Sequence, residues 1–254
     1  MLTLSNLSVS YDGSRILRNV NLTVMPGQVA CLMGRNGVGK TTTLKSIVGL
    51  VKPDAGSVTI GDTPLAGLRP EQRARCGLGY VPQGRDIFPN LTVIENLHIG
   101  ALAQGRKLNG EVERVFSLFP ILKEMTRRKG GVLSGGQQQQ LAIGRALLTN
   151  PKVLLLDEPT EGIQPNIIDQ IGETVKRLRR EGLVDDGHNY TEEIGDALKK
   201  LRQEERIGIL LVEQYLDFCL EVGDTFYVMD RGTIMAEGPI QELNDDIVRL
   251  HLTV

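Results

Sequence analysis

Residues Gly34-Arg35-Asn36-Gly37-Val38-Gly39-Lys40-Thr41 follow the spacing G-x-x-x-x-G-K-[ST], directly after the apolar run VACLM and directly before TTTLKSIVGL. Such a run has one sensible setting, in which a buried strand enters a tight loop that opens a helix. The glycines let successive backbone N–H groups curve around phosphate oxygens without Cβ clashes, and the helix start turns its positive dipole end toward them. Lys40 is expected to reach the terminal phosphates of a nucleotide, and Thr41 to ligate Mg²⁺.

The rest of the chain is consistent with a parallel sheet around that loop. LTLSNLSVSY and VNLTVMPG alternate apolar and polar residues with period two, and GSVTIGD is a further strand. From about Glu71 to Asn150 the pattern turns mostly helical, with apolar residues three and four apart in VIENLHIGAL and EVERVFSLFPIL. KVLLLDEPT, the amphipathic IIDQIGETVKRLRREG and the buried-type strand IGILLVEQ then restore a β–α alternation, which implies a parallel sheet. IGETVKRLRREG at 171–182 returns as IGDALKKLRQEE at 194–205, with six of twelve positions identical. A local duplication and a shared composition of two amphipathic helices explain this equally well. The polar LVDDGHNYTEE between them is expected to be a loop, with Thr191 and the following glutamates capping the second helix.

At 254 residues, with 29 Lys+Arg against 31 Asp+Glu and a formal net charge of -2, the chain has none of the positive excess that nucleic-acid binding usually needs. No apolar run approaches the ~18 residues of a membrane span, and the N-terminus does not read as a signal peptide, so a cytoplasmic protein is expected. Cys31, Cys76 and Cys219 are far apart and lack metal-ligand spacing; Cys31 and Cys219 sit in apolar runs and are expected to be small core residues.

Two further elements carry chemistry. The strand Val153–Leu156 delivers Asp157 to the sheet edge, where its carboxylate can hold Mg²⁺, and Glu158 follows in position to accept a proton from a water attacking the γ-phosphate. Leu133-Ser134-Gly135-Gly136-Gln137 precedes the helix QQQLAIGRALL and offers a hydroxyl and free N–H groups to an anion. One nucleotide does not need two such loops about 95 residues apart, so the second is expected to serve the nucleotide of another chain.

LSGGQ, together with the phosphate loop and LLLDEPT, resembles the ATP-binding cassette (ABC) ATPases over essentially the whole chain. The resemblance implies an α/β P-loop NTPase (RecA-like) core with a parallel sheet, an N-terminal antiparallel β part and a helical sub-domain. In this arrangement 1–254 is one domain, with 1–86 and 150–254 forming the nucleotide-binding core and 87–149 the helical part. It implies ATP and Mg²⁺ as ligands, bound through Gly34 to Thr42, with Thr41, Gln83 and Asp157 near the metal. Gln83 in YVPQG resembles the family's glutamine loop, which touches metal and water and moves with the transport partner. Tyr11 resembles the aromatic that stacks on adenine, although taken alone it reads equally as a turn or edge-strand residue. Ser134, Gly135, Gly136 and Gln137 would meet the γ-phosphate held by the opposite protomer of a head-to-tail dimer.

Two positions depart from the family pattern. Gln214 follows GILLVE where a histidine is usual, and Gln164 stands where an interface aspartate is common. A glutamine amide donates to phosphate but cannot become cationic or shuttle a proton. None of His98, His188 and His251 is placed to substitute.

The details QGRDIFPNLTVIENL, DEPTEGIQPNII and LVEQYLDF resemble the ATPase subunits of importers for branched-chain amino acids and urea. VEQYLDF with FYVMDRG and HLTV is most similar to the urea type. This implies uptake of urea or short amides, with branched-chain amino acids as the alternative. It also implies a peripheral position on the cytoplasmic face of the inner membrane. The partners would be permease subunits, a second identical or related ATPase, and a solute-binding protein reached only through the permease. A non-transport cassette and a P-loop kinase or GTPase are the rival classes; the first usually carries coiled coils or tandem cassettes, and the second leaves LSGGQ unexplained. The permease contact is expected within residues 84–130, best in Gly84–Asn90, where Ile87 and Phe88 serve equally well as core anchors.

Overall fold

A computed structural model describes residues 1–103, 105, 110–161, 190–205 and 207–251. Among these, strands β1 (Leu2–Tyr11), β2 (Ser14–Val24), β4 (Ala55–Ile60) and β5 (Thr63–Pro64) form an antiparallel sheet in the order β2-β1-β4-β5. The second sheet runs β10-β9-β3-β8-β7-β6. Its members are β3 (Val29–Met33), β6 (Leu78–Val81), β7 (Val153–Asp157), β8 (Gly208–Glu213), β9 (Thr225–Asp230) and β10 (Thr233–Pro239). Every pair in it is parallel except β9–β10.

The uninterrupted apolar runs of β3, β7 and β8 follow from burial on both faces, as parallel sheets require. Along β7, Leu154 and Leu156 enter one core cluster, while Val153 and Leu155 enter the other; Ile209/Leu211 and Leu210/Val212 of β8 divide the same way. The first cluster joins the sheet to α3 (Val93–Leu102), α4 (Glu111–Leu118), α5 (Pro120–Glu124) and α6 (Gly135–Leu147). The second lies between the two sheets and α1 (Lys40–Val48). Helix α3 approaches α6 so closely that a Cβ on Gly100 would lie 2.2 Å from the Arg145 carbonyl oxygen.

The stretch from Glu71 to Asn150 is less uniformly helical than its periodicity implies. LGYV forms β6 at the edge of the parallel sheet, a segment too short for its two-residue period to stand out between helices. Helix α2 (Pro70–Arg75) precedes it and carries the buried Arg73, which donates to the Ser46 and Ile47 carbonyls, both at 2.8 Å. A cation on the last carbonyls of α1 complements that helix's negative end. Cys31 and Cys219 are fully buried. Helix α7 is Tyr190–Glu205, so Thr191 lies inside the helix and not at its cap. The first copy of the repeated segment, Gln164 and His188 lie outside the described residues. His98 is exposed on α3, and His251 ends α8 (Asp245–His251).

Candidate active site

Parallel register brings the ends of β3, β7 and β8 to one edge of the sheet, where Asp157 pairs with Val212 and Met33 with Glu213. The phosphate loop leaves β3 at this edge. Its glycines are needed there: Gly39 has φ 115°, and a Cβ on Gly34 would lie 2.4 Å from the Met229 carbonyl oxygen. Val38 packs inward at 9% exposure. A cleft of about 210 Å³ is lined by Asn36, Gly37, Gly39, Lys40, Thr41 and Thr42, with Ile16, Gln83 and Glu158. Ile16 comes from β2 and has no mark in the sequence; only the folding of the N-terminal hairpin against the loop puts it there.

Lys40 is 5% exposed and donates through Nζ to the carbonyls of Gly34 at 2.7 Å and Arg35 at 3.1 Å. Burial lowers its pKa, opposed by the carboxylates of Glu158, Asp157 and Glu213. Its Nζ is 3.7 Å from Glu158 Oε1. Asp157 is 1% exposed, and burial with the Glu158 charge pushes its pKa up to about 6, against the opposing effects of Thr41 and Lys40.

Asp157 Oδ1 lies 3.5 Å from Thr41 Oγ1, and its Oδ2 is buried without a hydrogen-bond partner. An orphaned carboxylate oxygen beside a hydroxyl, facing a phosphate-binding loop, suits a hard cation that keeps most of its ligands as water and phosphate oxygens. The residues present therefore fit Mg²⁺. Among the described residues no cluster of three His, Cys, Asp or Glu side chains can hold a metal by itself.

Glu158 has φ 49°, unusual for a non-glycine residue, and its N–H donates to the Val212 carbonyl at 2.9 Å. Three donors surround its carboxylate: Gln214 Nε2 at 2.6 Å, Gln83 Nε2 at 3.3 Å and the Lys40 ammonium. The structure thus brings together Lys40, Thr41, Asp157, Glu158, Gln83 and Gln214. Beyond Gln83, Arg85 and Asp86 have positive φ and are held from two sides, since Arg85 donates to the Glu161 carbonyl and Arg145 to that of Asp86.

Other expected residues lie apart from this cleft. Tyr11 is 42% exposed at the β1–β2 turn, opposite Ser14, and does not line the cleft. Ser134, Gly135, Gly136 and Gln137 do not line it either. Ser134 caps α6, its hydroxyl accepting from the Gln137 N–H at 3.3 Å while the Gln137 side chain accepts from the Ser134 N–H at 3.0 Å. Ser134 is exposed at this helix start, Gly135 and Gln137 are half-buried and Gly136 is buried.

Ile87 and Phe88 separate in the fold. Ile87 packs against the first core cluster, whereas Phe88 is 43% exposed under the Arg145 guanidinium, 5.1 Å from the ring centroid. Phe88 borders an apolar groove of about 380 Å³ with Leu50, Pro70, Tyr80, Ile99 and Ala103. The buried Asn96 fixes the Phe88 peptide, accepting from its N–H at 2.8 Å and donating to its carbonyl at 3.0 Å.

Residues 17–161 match the family model described as ABC transporter. The chain is 36% identical to a high-affinity branched-chain amino acid transport ATP-binding protein of Pseudomonas aeruginosa, over 92% of this chain and 91% of the relative. It is 34% identical to a lipopolysaccharide export system ATP-binding protein of Escherichia coli, over 98% and 95% of the two chains. Among solved structures, a dimeric bacterial ABC transporter cassette superimposes with a TM-score of 0.77 at 25% identity, covering 96% of this chain and 100% of that one. With the phosphate loop, the Asp157–Glu158 pair and the LSGGQ helix start in the places described, the chain belongs to the ABC transporter family and is an ATPase.

Proposed function

We propose that this protein is the ATP-hydrolysing subunit of an importer for branched-chain amino acids. Glu158 is the base. Its carboxylate accepts a proton from water as the water oxygen attacks the γ-phosphorus; the bond to the β–γ bridging oxygen breaks, and ADP and phosphate leave. Lys40 and the loop N–H groups hold the triphosphate, while Gln83 and Gln214 orient Glu158. Thr41 and Asp157, with Gln83 nearby, would hold Mg²⁺, which would supply charge neutralisation on the phosphates. Tyr11, on the same hairpin as Ile16 although it does not line the cleft, is the adenine partner. Ser134 to Gln137 complete the site of a second ATPase chain arranged head-to-tail.

The single observation that carries the hydrolytic reading is the Glu158 carboxylate under three donors at the mouth of the loop. Among the described residues no helix is long and apolar enough to cross a membrane, so coupling to a solute requires permease subunits that are separate from them. The apolar groove beside Phe88 offers a seat for a permease segment, on the cytoplasmic face of the inner membrane, and the solute-binding protein acts through that permease.

The amino-acid reading rests on the Pseudomonas relative. Urea, the first expectation from VEQYLDF, gains no support from the relatives described above, and the Escherichia relative serves export. Co-purification with its membrane subunits, reconstitution and ATP-driven uptake of labelled leucine or valine tests the proposal. Uptake of urea alone, or of neither solute, overturns it.

A further inference from the structure

Glu213 ends β8 with 2% exposure, and no residue expected from the sequence gives it a task. A buried carboxylate is costly unless it is matched by donors. Among the described residues no ion pair matches it; four donors do. Its Oε1 accepts from the Thr160 N–H at 3.0 Å and from the Thr160 hydroxyl at 2.8 Å. Its Oε2 accepts from the N–H of Gln214 at 3.0 Å and, more weakly, of Tyr215 at 3.4 Å. Burial raises its pKa, and these donors oppose the rise.

The two oxygens thus grip two loops. One follows β7 and carries Glu158 two residues before Thr160, in its left-handed conformation. The other follows β8 and carries Gln214, whose amide meets Glu158. Neither loop is tied to the other by regular strand pairing beyond Asp157–Val212. We propose that Glu213 is a positioning residue for hydrolysis, fixing the Glu158 loop and the Gln214 loop against each other from beneath so that the Glu158 carboxylate is aimed at the attacking water. Glu213 does not line the phosphate cleft. A carboxylate suits the place because both oxygens accept; a glutamine turns an NH₂ toward one pair of donors, and an aspartate is one methylene too short to reach both loops.

The inference rests on Glu158 being the base, so Glu158→Gln is measured alongside. Steady-state ATPase kinetics and equilibrium binding of a fluorescent ATP analogue are measured on the full chain. Glu213→Gln is expected to lower kcat about tenfold or more while KM and analogue affinity stay within about twofold, because Lys40 keeps the larger influence of the Glu158 and Asp157 carboxylates. Combined with Gln214→Ala, its effect should be less than multiplicative, since both changes disturb the same aim. Thr160→Val, which removes one donor and keeps the shape, should lower kcat about threefold at unchanged KM, and it decides the matter if Glu213→Gln does not fold.

Unchanged kcat in the variant that folds overturns the proposal. So does a parallel loss of nucleotide affinity, or a fully multiplicative double variant. Wild-type turnover in Glu158→Gln sinks the base assignment itself. An inactive Glu158→Gln beside a fully active Glu213→Gln sinks only the role of Glu213.

Discussion

The Gln214 side chain donates to Glu158 across 2.6 Å, joining the residue after β8 to the residue after β7. An amide makes this contact permanently as a donor, whatever the pH. A histidine in the same place would exchange donor and acceptor roles and gain charge within the physiological range. The site is therefore built with a carboxylate whose orientation is set by neutral and lysine donors, not by an imidazole.

Replacing Glu158 with Gln keeps the size of the side chain and removes the proton acceptor. Turnover is expected to fall by about 10²-fold or more with ATP binding retained. Because bound ATP then persists, the protein should sediment as a dimer with ATP and as a monomer without it. ATP-independent mass in this variant contradicts the head-to-tail arrangement.

Gln214→His should keep activity within about tenfold, since imidazole can donate to Glu158. Its rate relative to wild type should rise as pH falls through about 6.5, where the ring becomes cationic and favours the charge building on the γ-phosphate. Paired pH–rate profiles check this. A ratio flat from pH 5.5 to 8 shows that residue 214 does not face the reacting charge.

Asp157 has a folded pKa raised to about 6, above its ordinary 3.8. The native state holds this proton more tightly than the unfolded chain, so the ionised group opposes folding increasingly as pH rises from about 4 to about 6, and steadily beyond. Asp157→Asn should accordingly stabilise the nucleotide-free protein by on the order of 1 to 3 kcal/mol at pH 7.5 and by little at pH 4. Denaturant melts at both pH values measure the difference. The same variant should lose Mg²⁺-dependent tightening of nucleotide binding, which addition of EDTA in the wild type mimics.

Phe88→Ala removes an exposed ring from the edge of the apolar groove. The isolated subunit should hydrolyse ATP at the wild-type rate, while solute uptake in the assembled complex falls about tenfold or more. Both are read in one reconstituted preparation. Undiminished uptake removes Phe88 from the permease contact, and loss of folding assigns it to the core.

The phosphate loop, the Asp157–Glu158 pair and the capped start of α6 were legible because each depends on local chemistry. A turn that only glycine accepts, a strand that ends in acid and a helix that opens on Ser all leave a mark within a few consecutive residues. Strand β6 was missed because four residues carry too little period to register. Glu213 was missed although VLLLD and GILLVE share one signature, an apolar strand closed by a carboxylate.

Sequence alone therefore determined the nucleotide chemistry and the alternation of strand and helix, since those follow from residue type and spacing. Tertiary structure decided which of two similar strand-end carboxylates lies beside the Thr41 hydroxyl and which grips the Thr160 and Gln214 loops. It also decided that Ile87 packs inward while Phe88 faces out, and that Ile16 reaches the phosphate loop. Those choices depend on sheet order and on contacts between segments up to about 200 residues apart. A linear pattern carries no record of which neighbour a buried face will meet.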